Sequence, residues 1–119
     1  MKRRLAIPVL NKQLSPYFGA CNNYVIFDAE HGIVSRYEML YPKGLNILEL
    51  PVWLADHGIT DTIAYKIDAE IIERFAAYKI NLFIGISIDS PDNLLVDWLN
   101  GKLESDEKII QQLTLSIKR

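Results

Sequence analysis

The strongest constraint on this chain is a change of hydrophobic period near residue 41. Before it, apolar stretches have strand character; after it, helical and strand-like segments alternate. Residues 5–10, LAIPVL, form a short apolar run that ends at Asn11-Lys12-Gln13. Residues 24–28, YVIFD, are β-branched and aromatic, which predicts a second strand. Residues 29–32, AEHG, make a turn in which Gly32 supplies a positive φ, and residues 33–40 return as a third strand that closes a hairpin. Pro8 cannot donate to a ladder, so the first strand needs an edge or an irregularity there.

Past the loop residues Tyr41-Pro42-Lys43-Gly44, apolar side chains at 47, 48, 50, 53 and 54 follow helical spacing. This predicts a helix over residues 45–57, with Pro51 near its first turn and Gly58 as its stop. Residues 61–65 read as a strand. Asp68 is placed as the N-cap of a helix with Ile71, Ile72, Phe75 and Ala76 on one face and Glu70, Glu73 and Arg74 on the other. Residues 80–84 form another strand, ended by Gly85. Ser90 as N-cap and Pro91 at the first position open a helix that buries Leu94, Leu95, Trp98 and Leu99 and stops at Gly101. In the tail, residues 106–113 read as a short helix and residues 113–117 alternate like a strand.

Three strands followed by helix–strand–helix–strand–helix predict an α/β domain. Its sheet is mixed, with about five strands, an N-terminal β-hairpin and right-handed crossovers that place helices on both faces.

The totals remove several function classes. A length of 119 residues suits one domain spanning 1–119. A net charge of -2 leaves no electrostatic footprint for nucleic acid. Lys2-Arg3-Arg4 reads as a solvated terminus. No apolar run approaches the ~20 residues that cross a bilayer, so no membrane partner is expected, and no signal peptide is legible. A single cysteine cannot form an internal disulfide, which points to a reducing, cytoplasmic setting.

Ligands of mixed α/β sheets tend to sit beyond the carboxyl ends of parallel strands. Those ends are Asn11-Lys12-Gln13, Tyr65-Lys66 and Gly85-Ile86-Ser87. The loop with Phe18, Gly19 and Cys21 follows the first of them. Helix N-termini near Asp68 and Ser90 point toward the same edge and attract anions. Asn11, Lys12, Phe18, Gly19, Lys66 and Ser87 are therefore the candidate binding residues for a negatively charged ligand; the other reading of Lys12 and Lys66 is two solvated loop lysines. Cys21 is the candidate metal ligand, because thiolate is the natural ligand of iron–sulfur clusters. Its alternative is a small buried residue beside the second strand. His31 lies in a turn and His57 at a helix end, where structural roles suffice.

Asp28, Asp68 and Asp89 are scattered and the first strand holds no acid, which argues against two-metal nuclease chemistry. No G-x-S-x-G elbow, G-x-G-x-x-G turn or Walker loop is present. An enzyme on a small anionic substrate, using Lys66 or Asp89, lacks an assembled acid, base and electrophile.

In the first strand stands "IPV"; "FG", then a cysteine, then "YVIFD" follow. Later come "LPVWLADHGI" with "DTIAY", and finally "FIGISIDSPDNLLVDWLNGKL". In order and spacing, over about residues 4–104, these strings resemble the nitrogenase iron–molybdenum cofactor-binding family, the cofactor carriers and biosynthesis accessories; residues 105–119 form a C-terminal extension. The resemblance implies a ribonuclease-H-like three-layer fold and a non-catalytic role, holding an iron–sulfur or iron–molybdenum-type cluster, or its precursor, in transit. It also implies a donor or acceptor protein for that cluster. In two places the chain departs from the family. Many relatives carry a His just before "FG", where this chain has Tyr17, and a glycine-rich turn where it has Tyr65-Lys66-Ile67-Asp68. The alternative is an interaction or regulatory module that kept the fold and lost the ligand. A C-terminal strand would expose an edge and support a homodimer.

Overall fold

The computed structural model describes residues 2–104, and the elements expected at 106–117 lie outside them. Six strands form one open sheet: β1 (Lys2–Leu10), β2 (Gln13–Leu14), β3 (Asn23–Glu30), β4 (Ile33–Leu40), β5 (Asp61–Ala64) and β6 (Asn81–Ile84). Three α-helices complete it: α1 (Leu50–Asp56), α2 (Ala69–Ala77) and α3 (Pro91–Leu99). The strand order is β4-β3-β1-β5-β6, with β2 also on β1. Strand β1 runs antiparallel to β3 and parallel to β5, and β6 is parallel to β5, so the sheet is mixed.

The apolar side chains of β1 and β3 alternate between two cores. Ala6, Tyr24 and Ile26 face α1 and α2, joining Leu50, Leu54, Ile71 and Phe75. Leu5, Ile7, Val9, Val25 and Phe27 face α3, joining Leu94 and Trp98. Helices thus cover both faces, two on one and a single one on the other.

Local signals explain most boundaries. His31 and Gly32, both at positive φ, close the β3–β4 hairpin. A second tight turn was not expected. Asn11 and Lys12 also take positive φ and return the chain as β2, with Leu10 opposite Gln13. Pro8 is tolerated in a central strand because the β1–β5 pairing ends at Ala6 opposite Thr62. The long helix expected at 45–57 is divided. Asn46 caps a 3₁₀ turn over Ile47–Glu49 in a reciprocal capping box with Glu49, and α1 begins at Leu50 with Pro51 in its first turn. Helix α2 starts after Asp68, but through that residue's carbonyl, which accepts from Ile71 and Ile72; its side chain makes no cap bond. Ala76, expected on the buried face, is exposed.

The basic start of the chain is not a solvated terminus. Asp28 and Asp61 are almost fully buried, and β1 brings an arginine to each. Arg4 Nη1 donates to both Asp28 oxygens at 2.9 and 3.1 Å, and its other terminal nitrogen reaches Glu38. Arg3 donates to Asp61 at 2.8 Å and lies over the Trp98 ring at 4.6 Å. Asp61 also accepts from the Thr60 hydroxyl at 2.6 Å and the Asn81 amide at 3.2 Å.

Removing one partner of a buried pair strands the other charge. Arg4→Ala is expected to lower stability by about 3 kcal/mol in urea denaturation. Arg3→Ala is expected to cost less, because the Arg3 side chain is 44% exposed and Asp61 keeps its two other donors. Equal losses would mean that Thr60 and Asn81 do not sustain Asp61.

Candidate functional site

The carboxyl ends of β1, β5 and β6 meet at one end of the sheet, where the candidate residues cluster in sequence. The sheet divides them between its two faces.

On the α3 face a groove of about 420 Å³ is lined by Asn11, Lys12, Asn22, Asn23, Tyr37 and Asp92 around an apolar floor that includes Val9 and Val25. Its volume falls within the range usual for small-molecule sites. Lys12 stands on the left-handed β1–β2 turn, at φ 67°, a conformation that few non-glycine residues adopt. The first turn of α3 closes the groove with Pro91 and Asp92. Here Ser90 Oγ accepts from the Asn93 N–H at 3.3 Å. The Asp89 carboxylate accepts from the Asn93 side-chain amide at 2.9 Å and the Ser90 N–H at 2.7 Å. These bonds hold the Asp89 pKa below the ordinary carboxylate value, the Asn93 bond first. Asp89 thus braces the start of α3 just before its N-cap, Ser90.

Cys21 is half-buried and packs against the other core, on the face of α1 and α2. It lines a smaller cavity of about 200 Å³ with Asn22, Tyr41, Pro42 and Lys43. Asn22 belongs to both cavities, so the thiol and the Lys12 groove are neighbours across the start of β3. Burial pushes the Cys21 thiol above its ordinary pKa, an effect that Tyr24 moderates. The Tyr24 hydroxyl is itself buried, beside Cys21. Its pKa is raised well above the usual phenol value, by burial first and by negative charge on Cys21 second.

Phe18, Gly19 and Lys66 are brought together, but as structure. The Phe18 N–H donates to the Lys66 carbonyl at 2.8 Å, and Tyr17 bridges to Lys66 like one more parallel strand. Phe18 is 3% exposed and meets Phe75 edge-on at 5.3 Å. Gly19 has φ 96°, and a Cβ there would stand 2.8 Å from Ile47 Cδ1, so the glycine lets this loop pass close to the 3₁₀ turn. The Lys66 ammonium lies 5.6 Å from the Tyr17 ring and 5.9 Å from the Tyr65 ring. Ser87 is exposed in a third cavity, of about 240 Å³, with Asp89 and Lys102. His31 sits in its hairpin turn at the far end of β3, and His57 Nδ1 pairs with the Trp53 carbonyl at 2.8 Å.

Among the described residues no three or more His, Cys, Asp or Glu side chains are grouped to hold a metal ion. None of the described helices is long and apolar enough to cross a membrane. Asn22, Asn23, Tyr37, Met39 and Asp92 were absent from the sequence-derived set. Their one legible signal was Tyr37-x-Met39-x-Tyr41, apolar alternation along and just beyond the third predicted strand.

The fold and this divided rim define the class: an α/β domain with an open mixed sheet whose cavities open at the end of the parallel strands. No known family profile matches the sequence. The chain is 28% identical over 116 residues, 87% of this chain and 92% of the other, to the uncharacterized protein MJ0580 of Methanocaldococcus jannaschii. In three dimensions it resembles the crystal structure of PH0822, with 26% identity, TM-score 0.79, and 87% and 94% of the two chains covered. It also resembles a candidate dinitrogenase of M. jannaschii, MJ0327, with 16% identity, TM-score 0.73, and 89% and 96% covered. A candidate NifB protein of Thermotoga, assigned to the DUF35 family, matches at 19% identity and TM-score 0.69, over 87% and 92%. The chain has the fold of these proteins.

Because folding raises the Cys21 pKa, the thiol favours the folded state below its unfolded pKa. This contribution fades as pH rises toward the folded value. Iodoacetamide labelling should therefore rise along a more alkaline curve in the folded protein than in the urea-unfolded chain. Coincident curves would show that Cys21 is solvated.

Proposed function

We propose that this chain is a non-catalytic protein related to the dinitrogenase cofactor proteins, binding an iron–sulfur or iron–molybdenum-type cluster, or its precursor, as cargo between a donor and an acceptor protein. The observation that carries this reading is the fold match to structures described as candidate dinitrogenase and NifB proteins, over 87–89% of the chain. The order β4-β3-β1-β5-β6, three antiparallel strands followed by two parallel ones, supports the ribonuclease-H-like class that belongs to the same reading. A lone free cysteine suits the reducing cytoplasm that such a cargo requires.

The chemistry of the rim limits how the cargo is held. Cys21 is the single thiol, and its neighbours are the neutral Asn22 and Tyr41 and the cationic Lys43. This set suits one sulfur contact to an anionic body, with hydrogen bonds and charge supplying the remainder. It does not suit a resident cluster with several protein ligands. The raised thiol pKa adds a cost, since ligation requires the thiolate.

A second reading rests on the Lys66 side chain near Tyr17 and Tyr65, which fills the turn where relatives carry glycines. On that reading the chain is an interaction or regulatory module that kept the fold and lost the ligand. Anaerobic incubation with iron–sulfur and iron–molybdenum clusters, followed by visible absorption, separates the two. A carrier takes up cluster stoichiometrically and loses most of that uptake in Cys21→Ala. An absence of uptake by the wild-type protein would leave only the module.

A further inference from the structure

Strand β4 spans eight residues and pairs with β3 alone, so its other edge has no neighbour among the described residues. Natural edges are usually blunted by proline, lysine, short length or bulges. β4 has no proline and no lysine. Its one bulge, opposite Asp28/Ala29, lies toward one end, and Arg36 to Leu40 continue in regular register against β3. Ile33 is 70% exposed, Tyr37 53% and Met39 46%, with Tyr41 just beyond at 56%. Tyr37 and Met39 pair with Phe27 and Val25, so they extend the α3-side core outward to a margin where it stops without cover.

The charges on this strand indicate what can pair with it. Arg36 and Glu38 flank Tyr37; Arg36 stands 3.7 Å from one Glu38 oxygen, and Arg4 holds the other, so both keep a partner within the chain as well as facing the edge. Two copies joined edge to edge about a two-fold axis normal to the sheet must place one residue opposite itself. An axis at Arg36 or Glu38 sets like charges against each other, and an axis at Ser35 or Met39 leaves both charges opposite neutral residues. An axis at Tyr37 sets Arg36 against the partner's Glu38 and Glu38 against the partner's Arg36. The same register places Tyr37 against the partner's Tyr37. Opposite-charge and aromatic pairs are the favourable cross-strand combinations.

We infer that two copies of this chain pair antiparallel through β4, with Tyr37 on the two-fold axis, forming one continuous sheet across the dimer. Tyr37 and Met39 also wall the 420 Å³ groove, so the dimer places one groove on each side of the axis and extends each wall with the partner's Tyr37.

Sedimentation equilibrium of the full chain across the micromolar range tests this. The wild-type protein should show twice the 13.6 kDa chain mass. Tyr37→Lys sets two ammonium groups against each other on the axis and should raise the dimer dissociation constant by about tenfold or more. Tyr78→Lys, at an exposed tyrosine of α2's end, should leave it unchanged. Arg36→Glu, which sets Glu against the partner's Glu38, keeps the test decisive should Tyr37→Lys fail to fold. A wild-type monomer at every concentration overturns the inference. So does a dimer that survives both Tyr37→Lys and Arg36→Glu.

Discussion

The sheet is organised by two buried carboxylates and the adjacent arginines that neutralise them. Asp28 and Asp61 flank β1 from β3 and β5, and Arg4 and Arg3 reach one to each side. Neither acid can remain in the interior as a lone anion, because an unpaired buried charge costs several kcal/mol. A register slip of β1 by one residue would turn both arginines to the wrong face and exchange the two cores. The hydrophobic pattern of β1 asks for the same register, with Leu5, Ile7 and Val9 on one side and Ala6 on the other. Charge and packing therefore reinforce each other in the central strand, and the strands on either side are built outward from it.

That arrangement also decides what the opposite end of the sheet can offer. A central strand buried on both faces delivers its loop to the rim, but the loop's side chains must then go to one face or the other. Asn11 and Lys12 turn to the α3 side, while Phe18, Gly19 and Cys21 pack on the side of α1 and α2. The result is two small neighbouring cavities joined at Asn22, in place of one deep pocket.

The unequal number of helices has its own consequence. Two helices cover one face and one covers the other, so the α3-side core tapers toward β4 and ends in exposed Tyr37 and Met39. An edge of this kind, carrying opposite charges on either side of a tyrosine, is suited to a copy of itself. The groove beside it then becomes a feature shared by the pair.

Much of the architecture was legible along the chain. The hairpin at His31-Gly32, the helices over Ala69–Ala77 and Pro91–Leu99, and the mixed sheet follow from period, caps and glycines, because those signals act over a few residues. Two features were not legible for a common reason. Lys2-Arg3-Arg4 and Asp28 each look ordinary as local sequence, and only the pairing of β1 with β3 makes Arg4 and Asp28 a buried ion pair. Gly19 reads as a place where a ligand approaches, yet Ile47, nearly thirty positions later, fills that space. The sequence by itself determined the order and type of the elements and which side chains must be buried, since propensity and periodicity are local. The tertiary structure alone decided which face each rim residue joins, which charges meet, and which strand stands at the margin of the described sheet, because these depend on contacts between segments far apart in the chain.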